Sequence, residues 1–212
     1  MITIKRNQID EMEKFYRISL VNSLIGFKPV NLLGSCNIDG SPNLSIISSA
    51  FHLGANPPLI GLVMRPQREH NDTLKNIQAT GQYTLNNVLP DWYKQAHQTS
   101  ASYASGISEF EKCHFRELYT DGFKAPFVRE STVRIGLELR EIMDVPLNGT
   151  TIVIGEIVQI LLDDLILEED GTVDHVKAGS MAVAGLDRYF IPEFLGRLSY
   201  AKPGIKLEEI NK

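Results

Sequence analysis

Apolar and polar positions along this chain fall into short runs, each bounded by Gly, Pro, Asn or Asp. Residues 9–20, IDEMEKFYRISL, carry apolar positions at helical spacing and predict a short amphipathic helix. VNLLGSCNI (30–38) predicts a strand. Asp39-Gly40 predicts a type I′ turn, in which both central residues take positive φ. NLSIISSAF (43–51) then predicts the returning arm of a hairpin. PLIGLVMR (58–65) is apolar on both faces and predicts a central strand. Pro57-Pro58 stands before it, where a missing N–H costs least.

NDTLKNIQATG (71–81) predicts a helix, with Asn71 or Asp72 as cap, Leu74 and Ile77 on one face and Gly81 at its end. QYTLNNVL (82–89) predicts a strand, and Asp91 is placed to cap a helix through WYKQAHQ (92–98). SEFE (108–111) has capping-box spacing. STVRIGLELREIMDV (131–145) and TTIVIGEIVQILL (150–162) predict two long arms about Asn148-Gly149, and Asp170-Gly171 marks one more turn. The stretch GLDRYFIPEFLGRLSYAKPG (185–204) predicts irregular structure. About six or seven strands, joined mostly as hairpins with helices between some of them, give a mainly β class, an antiparallel barrel with helical insertions. Strand and helix do not alternate regularly, which argues against a doubly wound parallel sheet.

Composition narrows this picture without changing it. At 212 residues and 43% hydrophobic content, the chain suits a single domain with a real core. Two cysteines, Cys36 and Cys113, are not a disulfide framework, and the N-terminal stretch lacks the long apolar segment of a secretory signal. A cytoplasmic protein is the expectation. A net charge of −5 without a dense Lys/Arg run excludes nucleic acid and anionic membrane as expected partners.

No G-x-x-x-x-G-K-[ST], G-x-G-x-x-G or G-x-S-x-G is present. The histidines at 52, 70, 97, 114 and 175 have no metal-ligand spacing, and no metal is expected. No acid–base or nucleophilic constellation stands out, so an enzyme built on this chain would use a cofactor for its chemistry.

Two stretches ask for an explanation. NLSIISSAF spends Asn43, Ser45, Ser48 and Ser49 where a buried strand would carry hydrocarbon, which means either a solvated edge or a polar ligand approached closely by main chain. RPQREHNDTLKNI places Arg65, Arg68 and His70 just before a helix start with Thr73 in its first turn. A helix N-terminus stabilises an anion, so this is a candidate phosphate site; the plain alternative is a capped helix beside a solvated basic loop.

The ordered set DG…NLSIISSAF…NPPLIGLVMR…NDTLKNI…TLNNV…SEFE…APFVRES…VIGEIV…DG…GLDRYF…GRLSYAKP, from about residue 30 to 204, resembles the flavin reductase-like proteins, the FMN-binding split-barrel flavoproteins related to flavoredoxin. The resemblance implies one flavin reductase-like domain over 1–212. Its barrel core would span about 25–165, with a segment 166–212 packing on the barrel and on a dimer interface. It implies FMN as cofactor, with NADH or NADPH as a transient electron donor delivering hydride to flavin N5, and a homodimer acting on small-molecule donors and acceptors. The runner-up is a non-catalytic FMN-binding electron carrier. A third possibility is a barrel that binds some other small anion. Carried over residue by residue, the resemblance puts Ser48, Ser49, Ala50 and Phe51 beside the isoalloxazine and Arg65 near ring or phosphate. It puts Asn71 and Thr73 on the phosphate with His70 or Arg68 supplying charge, and Asn86 and Asn87 within reach of the ribityl chain or ring. The loop Thr99–Tyr103 and the segment Arg188–Tyr200 would close over the flavin. Relatives often carry Lys where Asn71 stands, and GRLGG where this chain has GRLSY.

Overall fold

The computed structural model describes residues 1–66, 72–104 and 106–210. The chain opens with helices α1 (Arg6–Asp10) and α2 (Lys14–Ser23), then strands β1 (Phe27–Pro29), β2 (Asn31–Cys36), β3 (Pro42–Ile47), β4 (Ala50–Ala55) and β5 (Pro58–Met64). Helix α3 (Thr73–Thr80) leads to β6 (Gln82–Asn87), α4 (Tyr93–Gln98) and α5 (Glu109–Lys112). The rest is strand: β7 (Glu117–Thr120), β8 (Phe123–Val128), β9 (Val133–Val145), β10 (Thr150–Leu162), β11 (Ala182–Ala184) and β12 (Arg188–Phe190).

Seven strands form one sheet in the order β3-β2-β6-β9-β10-β5-β4, every pairing antiparallel. Its two edge strands, β3 and β4, are consecutive in the chain and joined only by Ser48 and Ser49. So short a link forces the sheet to curl until its edges meet, yet β3 and β4 do not pair with each other. The result is the split barrel that the resemblance implied, an antiparallel barrel with helical insertions as the pattern predicted. NLSIISSAF is therefore not one strand. It breaks at its two serines, and its halves belong to opposite edges of the sheet.

Two cores follow from the alternation of side chains along the strands. Leu33, Leu62, Tyr83, Leu85, Leu137 and Val153 fill one, joined by Leu74 and Ile77 of α3. Leu32, Leu44 and Val88 face the other way, onto Ala96 of α4 and Phe110 of α5. The hairpin β7–β8 lies across β2 and β6. The approach is close enough that a methyl group at Gly34 would overlap the Pro126 carbonyl and Thr84 Oγ1, which are themselves hydrogen-bonded at 2.7 Å. Gly155 has the same duty under the ring of Tyr83.

Local structure departs from expectation where a side chain overrides a pattern. The helix expected over 9–20 is two helices, because the Glu13 carboxylate accepts the N–H groups of Phe15 and Tyr16 at 2.8 and 2.9 Å and starts a second one. The turn at Asp39-Gly40 is not type I′: Gly40 has φ +87, but Asp39 does not take positive φ. Asn37 accepts from Gly40 N–H and donates to the Ser41 carbonyl, both at 3.0 Å, so the loop holds three residues and the glycine makes the bulge. The turn at Asp170-Gly171 repeats this arrangement between Glu168 and Thr172. Asp91 lies in a 3-10 turn, Pro90–Trp92, and does not cap α4. Ser108 stands at the cap of α5, but its hydroxyl is buried without a partner and the capping box does not form.

Replacing Gly34 with Ala should lower stability by about 1–3 kcal/mol through overpacking against β8. The midpoint of urea unfolding would shift down while the slope stays constant; an unchanged midpoint would mean that β8 moves aside freely.

Candidate functional site

The split between β3 and β4 is where main chain is left over. Ser48, Ser49 and Ala50 are half-buried there, and each edge strand presents an outer row of N–H and C=O groups that no strand among the described residues pairs. The Ser49 hydroxyl donates to the Val63 carbonyl at 2.8 Å, which ties the link to β5. Ala50 sits opposite Leu62 and Phe51 opposite Gly61, whose missing side chain lets the Phe51 ring lie flat across it. That ring remains 40% exposed. Arg65 leaves the end of β5 exposed to solvent. Lys28, from β1, shares its field: burial and then the Arg65 charge lower the Lys28 pKa. Nothing local marks Lys28, which stands between Phe27 and Pro29 on a strand paired with β11.

At the start of α3, where a phosphate site was expected, the described residues turn toward the sheet. Thr73 is 2% exposed, and its hydroxyl faces β3, in contact with Asn43 Nδ2 at 3.1 Å and Ser45 Oγ at 3.2 Å. Asn43 also donates to Ser35 Oγ at 3.1 Å. The polar residues of β3 thus seat the helix on the sheet. Asp72 stands at the N-cap position without a side-chain capping bond and pairs with Lys75 at 3.5 Å. Glu109 of α5 lies close by and accepts the Leu44 N–H at 3.0 Å. Its pKa is raised, by burial first and by the Asp72 charge as well, although the Leu44 bond opposes this. Arg68, His70 and Asn71 lie outside the described residues.

Asn86 and Asn87 do not reach the split. Asn86 is fully buried; it donates to the Leu32 carbonyl at 3.0 Å and accepts the Val128 N–H at 2.9 Å, so it fastens β8 to the sheet. Asn87 accepts the N–H groups of Thr132 and Val133 at 3.0 and 2.9 Å and donates to Ser180 Oγ at 2.8 Å. Both amides are engaged by protein, Asn86 by β2 and β8 and Asn87 by the 132–133 backbone and Ser180. Thr99 is likewise buried on the Ala96 carbonyl, and Tyr103 is held by Gln98 at 3.2 Å. Tyr189 of the later segment meets His97 Nδ1 at 2.8 Å, and burial, together with the Asp187 charge, pushes its pKa up to about 12. Arg197 forms an ion pair with Asp170.

Comparison with known proteins decides what kind of barrel this is. The model of the flavin reductase like domain matches residues 27–175. The chain belongs to that family. Membership implies flavin as cofactor or substrate. A split-barrel-domain protein from Shewanella frigidimarina is 43% identical, with a TM-score of 0.91, over 95% of this chain and 100% of that one. Nitrilotriacetate monooxygenase component B from Bacillus cereus shares the fold at 20% identity and TM-score 0.81, covering 93% of this chain and 98% of that one. Flavoredoxin of Desulfovibrio vulgaris shares it at 24% identity and TM-score 0.70, covering 81% and 90%. The split fits a flavin on its own terms: small side chains admit a ring against main chain, unpaired backbone groups match its polar edge, and two cations stand by without an ion pair among the described residues. No helix among the described residues is long and apolar enough to cross a membrane.

Glu109→Gln tests the charge at α3. The folded-state pKa of Glu109 lies above its ordinary 4.5. Its contribution is therefore fully present below that value and is lost as pH rises through the folded pKa. The amide keeps an acceptor for Leu44. The variant should melt higher than the parent at pH 7 and alike at pH 4; equal melting at both would show that the carboxylate is not strained by burial.

Proposed function

We propose that the split at Ser48–Phe51 binds FMN and that the protein is an NAD(P)H-dependent flavin oxidoreductase. The observation that supports this most is the unpaired edge itself, placed by the family's fold at a run of three small residues. A bound flavin would supply the chemistry, accepting hydride at N5 from NADH or NADPH and passing electrons onward. The chain's part is placement and charge. Ser48, Ser49 and Ala50 would give backbone donors and acceptors to the polar edge of the ring. Phe51, propped on Gly61, would wall one side, and Arg65 would offset negative charge. Thr73 would act from behind, by fixing α3 against β3.

Visible absorbance after FMN loading and desalting is the direct test. The wild-type protein should retain a flavin spectrum, and Ser48→Tyr, which adds bulk at the link without touching the Ser49–Val63 bond, should weaken retention by about tenfold or more, with melting as the check on folding. Normal FMN binding by a folded Ser48→Tyr would remove the site from the split. Rapid bleaching of bound flavin by NADH or NADPH is expected of a reductase. Retained flavin that bleaches slowly would make the protein an electron carrier instead.

A second copy of the chain would cover the rest of the site. Phe15, Tyr16 and Leu24 of the N-terminal helical region are 61–71% exposed, and Leu195 and Tyr200 in the C-terminal arm are exposed almost completely. Apolar surface at both chain ends is what a partner buries. Sedimentation of the flavin-loaded protein should give twice the 23.7 kDa chain mass; a monomer would sink this reading.

A further inference from the structure

The two cations at the split are placed by the fold, not by sequence proximity. Asn31 pairs with Ile47, the last residue of β3, and Lys28 lies three residues back along the same run of chain. Ala50, the first residue of β4, pairs with Leu62, and Arg65 lies three residues on. The runs of chain that carry Lys28 and Arg65 thus adjoin the two ends of the Ser48-Ser49 link, and the Arg65 charge acts on Lys28. The Lys28 ammonium donates to the Gly185 carbonyl at 3.0 Å, which fixes its position and leaves two of its three N–H groups for another acceptor. Among the described residues neither cation forms an ion pair. Burial and the neighbouring Arg65 both work against the charged form of Lys28. Two like charges, one of them tethered and half-buried, are costly to hold together unless an anion comes between them.

We propose that Lys28 is an anion-binding residue of this site, which together with Arg65 takes up the negative charge of the flavin nucleotide. This rests on the flavin reading above and extends it. The charge has two sources: the phosphate of FMN and the ring once it is reduced. Among the described residues, the start of α3 carries two carboxylates, Asp72 and Glu109.

Fluorescence titration of flavin-free protein with FMN and with riboflavin, the same ring without phosphate, tests the assignment. Wild type, Lys28→Met and Lys28→Arg would be compared, with circular dichroism and melting as checks on folding. Should Lys28→Met not fold, Lys28→Gln, which can still donate to Gly185, takes its place. If Lys28→Met weakens FMN binding by about tenfold or more while riboflavin is unaffected, and Lys28→Arg restores it, Lys28 holds the phosphate. If both flavins weaken alike and the midpoint potential of bound riboflavin falls, Lys28 holds the ring charge. Binding of both flavins by Lys28→Met within about twofold of wild type overturns the proposal. Failure of the wild-type protein to bind either flavin overturns the flavin reading and this proposal with it, and is seen without any variant.

Discussion

Everything in this barrel turns on a two-residue link between strands that occupy opposite edges of one sheet. A strand pair joined by so short a connection would ordinarily form a hairpin. Here the chain instead bends between Ile47 and Ala50, and the sheet has to close around the bend. Such a link cannot carry bulky side chains on its crowded side, and its polar groups need partners. Ser48 and Ser49 meet both demands, and the Ser49–Val63 bond shows how. What the bend leaves behind is an opening lined by unpaired main chain. An exposed edge is a hazard in most sheets; in this one it is the candidate site.

The rest of the polar interior serves to hold that bend in place. Asn43, Ser45 and Thr73 fasten α3 to β3 just before the link, while Asn86 fastens β6 to β8 and Asn87 fastens it to the segment that follows β8. Buried amides of this kind are worth more when fully satisfied than a count of single bonds suggests, and their removal leaves backbone N–H groups stranded. They lie on β3, one edge of the split, and on β6, two strands in from it. Apolar packing supplies the stability on both faces of the sheet, and the amides set which strand lies where.

Much of this was legible in the sequence. Alternation and turn residues predicted the strands, the long β9–β10 hairpin and the class, and the ordered motifs pointed to the family. The failures share a cause. NLSIISSAF has the periodicity of one strand, and nothing local says that its halves belong to different edges, since that depends on pairings with β2 and β5. Asn86 and Asn87 look like ligand contacts because they end a strand beside small residues. Only the register shows that their amides point at β8 and at the 132–133 backbone. Lys28 was invisible for the same reason: its neighbour in space, Arg65, is far along the chain. Asp39-Gly40 was read as a turn correctly and as the wrong type, since Asp39 Oδ1 accepts both the N–H and the hydroxyl of Ser41 and stabilises a three-residue loop instead.

The placement of charge decides between two ways of holding an anionic ligand in such a fold. A helix N-terminus offers about half a positive charge, spread over its free N–H groups and strongest within the first turn. At α3 that turn is shared with the carboxylate of Asp72, faces Glu109, and has its one hydroxyl committed to β3. Lys28 and Arg65 lie in each other's field on runs of chain that adjoin the link between β3 and β4, with no ion pair to either among the described residues. In a half-buried setting a full charge outweighs a partial one, because less water screens it. A ligand whose flat apolar part lies along Ala50 and Phe51 would then keep its negative charge close to the bend, and the same small residues that let the sheet close would let the anion reach both cations at once.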